Sequence, residues 1–169
     1  MDTILVGVIV LVLIVVSTLI ITVSAFQSIN NVSTAWNEME EQSSSISETS
    51  IDASITGNYS GGLINVEVQN NGRTNLYNFP NWDIIIQYQS GNASHLSYID
   101  TYPPSSGQWT VTGIYMADAS PEVFDPGILN PEEEMNVAIS PDSEIGIGET
   151  ARIIVSTPNG VTSQCFVTK

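Results

Sequence analysis

From Thr3 to Asn37 the chain carries no charged side chain, and from Ile4 to Ile21 it is almost entirely Ile, Val and Leu. At 1.5 Å rise per residue, about 20 such residues span the ~30 Å hydrocarbon core of a bilayer. The fold must therefore offer a dry environment to a long helix. The flanks that direct membrane insertion are missing. No Lys or Arg occurs before Arg73, which removes both the positive-inside signal and the basic n-region of a secretory signal peptide.

The helical pattern outlasts the greasy part. Ile29, Val32, Trp36 and Met39 follow at spacings of 3, 4 and 3, and Ile46 extends the series. That is the seam of a helix packed lengthwise against other helices. Asn30, Asn37, Glu38, Glu41 and Gln42 face away from it. The pattern predicts one helix from about residue 3 to about residue 48, roughly 70 Å long. The alternative is a membrane helix followed by a disordered stalk, Ser43-Ser44-Ser45-Ile46-Ser47.

Beyond residue 50 the period changes to 2. Ile64, Val66 and Val68 alternate with Asn65, Glu67 and Gln69, and Met135, Val137 and Ile139 alternate with Asn136, Ala138 and Ser140. Ile84-Ile85-Ile86 lies in a run bounded by Pro80 and Ser90-Gly91, as in a buried strand. Thr150–Thr157 and Val161–Thr168 flank Pro158-Asn159-Gly160, a hairpin signal because Asn and Gly tolerate φ > 0. Asn70-Asn71-Gly72 is read in the same way. With 50–56, 94–99 and 109–116 the count is about eight strands. The fold class expected is α+β: one long N-terminal hydrophobic α-helix (1–49) followed by an all-β immunoglobulin-like sandwich (50–169).

Charge excludes some functions. The formal net charge is −15, and residues 1–50 hold acids but no cation. Such a chain repels nucleic acid and anionic headgroups. The acidity suits either a soluble secreted protein or life in salty water, where screening shortens self-repulsion.

Candidate chemistry is sparse. Cys165 is the only cysteine and His95 the only histidine, so neither a disulfide within the chain nor a zinc site can be built from them. Cys165 is expected to be a buried, inert thiol, and His95 a surface strand residue. The loops Pro131-Glu132-Glu133-Glu134 and Asp142-Ser143-Glu144 lack calcium-loop spacing and read as solvated charge. Gly146-Ile147-Gly148 precedes no phosphate-holding helix. No catalytic role, cofactor or metal is expected. Three sequons, at Asn31, Asn58 and Asn92, offer possible N-glycosylation sites; the last two fall in turns.

A hydrophobic helix with a 3.5-period extension, joined directly to a β-sandwich, resembles an archaellin, the filament subunit of the archaeal swimming organelle in the type IV pilin-like superfamily. The resemblance rests on Ile4–Ile21, on Trp36–Glu41, and on the phrases Gly62-Leu63-Ile64-Asn65-Val66-Glu67-Val68-Gln69-Asn70-Asn71-Gly72 and Pro126-Gly127-Ile128-Leu129-Asn130-Pro131-Glu132. It implies a homopolymeric helical filament outside the cell. Its core would be made by Ile4, Leu5, Val8, Val12, Val15, Leu19, Val23, Phe26, Ile29, Val32, Trp36 and Met39. Gly7, Ser17, Ser24 and Ala25 are small residues where helix backbones approach closely. The resemblance also implies a membrane-inserted stage before assembly, with a prepilin-type peptidase and an assembly platform as partners. Met1 fits either the first residue after leader removal or an initiator.

Two other readings share these features. One is a membrane-anchored accessory, stator-like protein whose sandwich binds the cell-surface layer. The other is the subunit of a non-rotating adhesive pilus.

Overall fold

The computed structural model describes residues 2–57, 59 and 62–169. Its first element is one uninterrupted helix, α1, Asp2–Glu48. The serine-rich stretch 43–47 is helical, which removes the disordered-stalk alternative. Ile and Val are middling helix formers and Gly7 costs about 1 kcal/mol relative to Ala. The helix nevertheless runs on because nothing breaks it: the first proline is Pro80. The chain divides into two units, Met1–Ser43 and Ser44–Lys169, so the last turn of α1 belongs with the β-rich part.

Ten strands follow: β1 Ile51–Ile55, β2 Ile64–Asn70, β3 Leu76–Tyr77, β4 Asp83–Tyr88, β5 Ala93–Tyr98, β6 Gln108–Tyr115, β7 Ile128–Leu129, β8 Glu134–Ser140, β9 Thr150–Ser156 and β10 Thr162–Thr168. The eight expected strands are all present. Their spatial order is β1-β2-β8-β6-β5-β4-β9-β10, with β3 and β7 paired separately. Each half of that order is antiparallel. The halves meet through a short parallel contact, Ser97 opposite Gln108 and Tyr98 opposite Trp109. At the far ends β1 lies beside β10, and the Ala53 N–H donates to the Ser163 hydroxyl at 2.9 Å. The two ends of the strand order are thus brought side by side in a barrel-like arrangement.

The period-2 pattern explains the core. Ile64, Val66 and Val68 of β2 point inward against Ile84 and Ile86 of β4, Met135 and Ile139 of β8, and Ile153 and Val155 of β9. Trp109 is fully buried and meets the Tyr98 ring edge-on, 4.9 Å between centroids. Cys165 is buried as expected, and burial, with Asp52 nearby, pushes its thiol up to about 11. It stays protonated and inert at neutral pH.

Pro158-Asn159-Gly160 forms the expected β9–β10 hairpin. The Gly160 N–H donates to the Thr157 carbonyl at 2.9 Å, and Gly160 has φ +88°. Asn70-Asn71-Gly72 does not form a hairpin. The strand that follows it, β3, pairs with β7 rather than with β2, and the turn packs against the end of α1 instead. A Cβ on Gly72 would stand 2.6 Å from the Glu48 carbonyl oxygen and from the Ser50 nitrogen, so only glycine lets the backbones approach so closely.

Candidate assembly surface and helix anchor

All twelve residues of the expected filament seam are exposed in the single chain, from Val15 at 49% to Ile4 at 74%. They are spread along one long helix. Between Ile4 and Ile21 the remaining Val, Leu and Ile residues are exposed as well. The front of α1 is therefore apolar all round, and a one-sided seam emerges only further along. One length of α1 is long and apolar enough to cross a membrane.

Six hydroxyls of this helix already have partners within it. The hydroxyls of Ser17, Thr18, Thr22, Ser24, Ser28 and Thr34 each donate to the carbonyl four residues earlier, at 2.7–3.0 Å. A hydroxyl moved from water to an apolar medium without a partner costs several kcal/mol. These six would lose no partner on burial. Ser17 and Ser24, which the sequence marks only as small, belong to this ladder.

The other end of α1 is anchored. It has no basic residue in its last turn, and the carbonyls left open at a helix end need partners. The Arg73 N–H donates to the Glu48 carbonyl at 2.8 Å, and the Asn71 N–H to the Ser50 carbonyl at 2.9 Å. The Thr49 hydroxyl donates to the Ser45 carbonyl at 2.7 Å and accepts from the Thr74 hydroxyl and from the Asn159 amide, both at 2.8 Å. The same amide reaches the Ser45 hydroxyl at 3.1 Å. Behind this layer lies Asn70, fully buried. Its amide donates to the carbonyls of Thr74 and Leu129, and its oxygen accepts the Gly72 N–H. Asn70 and Asn159 are the residues sequence reasoning missed; each looked like a turn former.

The acidic loop at Pro131 also departs from expectation. Glu133 is not solvated but 7% exposed, and its carboxylate accepts the Asn130 N–H at 2.7 Å. His95 is exposed on β5 as expected, yet it has a carboxylate partner the sequence did not reveal, Asp83 at 2.8 Å on β4. Both groups are largely in solvent, so the pair is worth about 0–1 kcal/mol. Among the described residues the His95 ring bonds no hydroxyl or thiol.

Of the three sequons, Asn92 is exposed at the tip of the β4–β5 hairpin and Asn31 is exposed on α1. Asn58 lies outside the described residues. Beside the Asn92 tip, Asp142 accepts the hydroxyls of Ser94 and Tyr88, which hold its carboxyl below the ordinary value. Burial, then the bond to Asp142, pushes Tyr88 up from 10.0 to about 12. A raised folded value means that this contribution to stability is complete below pH 10 and is lost as the pH rises through about 12. Thermal melting of the sandwich should therefore fall between pH 9 and pH 11.5. Tyr88→Phe should make that fall shallower, and an unchanged slope would show that Tyr88 does not contribute to it.

No family model matches the chain, and no curated protein matches it. Solved structures do. The chain is similar to the archaeal flagellum of Methanospirillum hungatei, at 15% identity and a TM-score of 0.61, over 96% of this chain and 90% of that one. It is similar to an archaeal flagellin from Methanocaldococcus jannaschii, at 12% identity and a TM-score of 0.54, over 71% and 90% of the two chains. It is also similar to the archaellum periplasmic stator protein FlaG from Sulfolobus acidocaldarius, at 20% identity and a TM-score of 0.51, over 69% and 99%. The fold is that of the archaellins: one long apolar helix followed by a β-sandwich.

Proposed function

We propose that this chain is the structural subunit of an archaellum-type helical surface filament. Residues 1–49 act as the polymerisation helix and residues 50–169 form the outer domain. The observation that carries the proposal is the exposed apolar surface of α1, which continues through Trp36 and Met39, well beyond what a bilayer needs. Removing such a helix from water at ~25 cal/mol per Å² is worth on the order of tens of kcal/mol per subunit before association costs. The likeness to the flagellum structure spans 96% of the chain and so takes in the helix. Copies of the chain are the main partner. The peptidase and the assembly platform act at the membrane-inserted stage, and the finished filament is extracellular. The role is structural rather than catalytic. Asn92 and Asn31, with Asn58, are the glycan acceptors to examine by mass spectrometry of the native protein.

The likeness to the stator protein favours a second reading, a membrane-anchored accessory whose sandwich binds the surface layer. Electron microscopy of the purified full chain without detergent separates the two. Uniform filaments of a single polypeptide are expected. Monomers that stay soluble only in detergent would overturn the filament and favour the anchor.

A further inference from the structure

The two outer faces of the sandwich differ in charge. Strands β1, β2, β6 and β8 contain no Lys, Arg or His, and their outward positions carry Asp52, Glu67 and Glu134. None of these carboxylates has an ion-pair partner among the described residues. The face formed by β5, β4, β9 and β10 has one carboxylate, Asp83, and His95 occupies it. Arg152 projects from the same face beside Ile154 and the 59%-exposed Phe166. Among the described residues its guanidinium bonds only the side-chain oxygens of Gln87 and Gln164, and its Nε is buried without a partner.

We propose that the Arg152 face of one copy docks on the Glu67 face of the next. The inference rests on the filament reading and names the contact between its outer domains. Two copies with a formal charge of −15 each repel over most of their surfaces. Lys169 is paired with Glu144 and Arg73 lies in the turn after β2, so among the strand faces the approach that turns repulsion into attraction sets the Arg152 guanidinium against the carboxylate face. Both surfaces belong to the same chain, so a second copy is the complementary partner. Different patches meet in this contact, and such a heterologous contact continues into an open helix wherever its rotation does not close a ring. Helix polymerisation holds the outer domains at high effective concentration, where a modest contact suffices. Arg152 and Phe166 then carry the centre of the contact, as Arg and aromatic side chains do at interfaces generally.

The test is a charge swap in the full chain, read as the subunit concentration needed for filaments to sediment at about 0.1 M salt. Arg152→Glu should raise that concentration about tenfold, and Glu67→Arg should do the same. The double variant should return to within about threefold of the unaltered chain, and the single-variant effects should shrink as salt is added. Unchanged assembly of Arg152→Glu, or a double variant no better than either single one, overturns the contact while leaving the filament intact. Should Arg152→Glu fail to fold, as judged by sandwich melting, Arg152→Gln and Glu67→Gln decide: each should weaken assembly about threefold, and no change in both overturns the contact. An unaltered chain that forms no filaments overturns the filament reading and this contact with it.

Discussion

Val12→Asp should abolish filaments and leave the sandwich untouched. Val12 sits in the middle of the apolar length of α1, on a helix with no charge from Thr3 to Asn37. In a bundle of such helices an Asp there is buried without a counterion. Asp at the centre of a membrane helix costs about 2.5–3.5 kcal/mol on insertion scales, and an uncompensated buried charge in protein costs about 3–5 kcal/mol. At 1.4 kcal/mol per factor of ten, that is about a hundredfold or more in subunit affinity. Every subunit carries the lesion and meets it again in its neighbours, so filament mass should fall below detection in sedimentation and microscopy. Val12 belongs to the unit Met1–Ser43, so sandwich melting should move by no more than about 1 °C. Val12→Leu should still assemble. Normal filaments from the Asp variant would sink the idea that this helix forms a dry core.

Asn70→Ala should destabilise the sandwich by about 3 kcal/mol. The side chain is fully buried and makes three bonds, to Thr74, Leu129 and Gly72, at 2.8–3.0 Å. Truncation leaves two carbonyls and one N–H open, and a buried group without a partner costs about 1–3 kcal/mol. Some of them will recover partial partners, which keeps the sum below the maximum. For a domain of this size the loss corresponds to about 10 °C in melting temperature. Asn70→Asp should be no milder, because it sets a carboxylate against the carbonyls that the amide now serves. A near-neutral Asp variant, or a fall of less than about 3 °C for Ala, would mean that Asn70 only fills space.

Much of this fold was legible because it is local. Period 2, an apolar run and turn signals located eight strands, and period 3.5 carried the helix through its serines. β3 and β7 were not legible, since two residues carry no period and each exists only because the other lies beside it. Asn71-Gly72 has the letters of a hairpin, but its partner is the end of α1 rather than the next strand. The anchoring role of Asn159 depends on Ser45, 114 residues away, a separation at which no sequence pattern speaks. Glu133 was misread for a related reason: charge predicts exposure except where a loop folds back and supplies donors. At the helix the seam was only half informative, because the front of α1 is apolar on every side.

The ladder of hydroxyls along α1 bears on which surroundings the proposed polymerisation helix tolerates. Six hydroxyls that find their partners within the helix take nothing from its surroundings. Lipid and a bundle of sister helices are then nearly equivalent solvents for its apolar front, Ile4–Ile21, as two oils are for a paraffin. Transfer from one to the other would break none of the six hydroxyl contacts between Ser17 and Thr34, so along Ile4–Ile21 the packing of side chains is what discriminates between them. On the filament reading, close packing along α1 is therefore what favours the bundle over lipid, and substitutions that alter side-chain shape there act on assembly first.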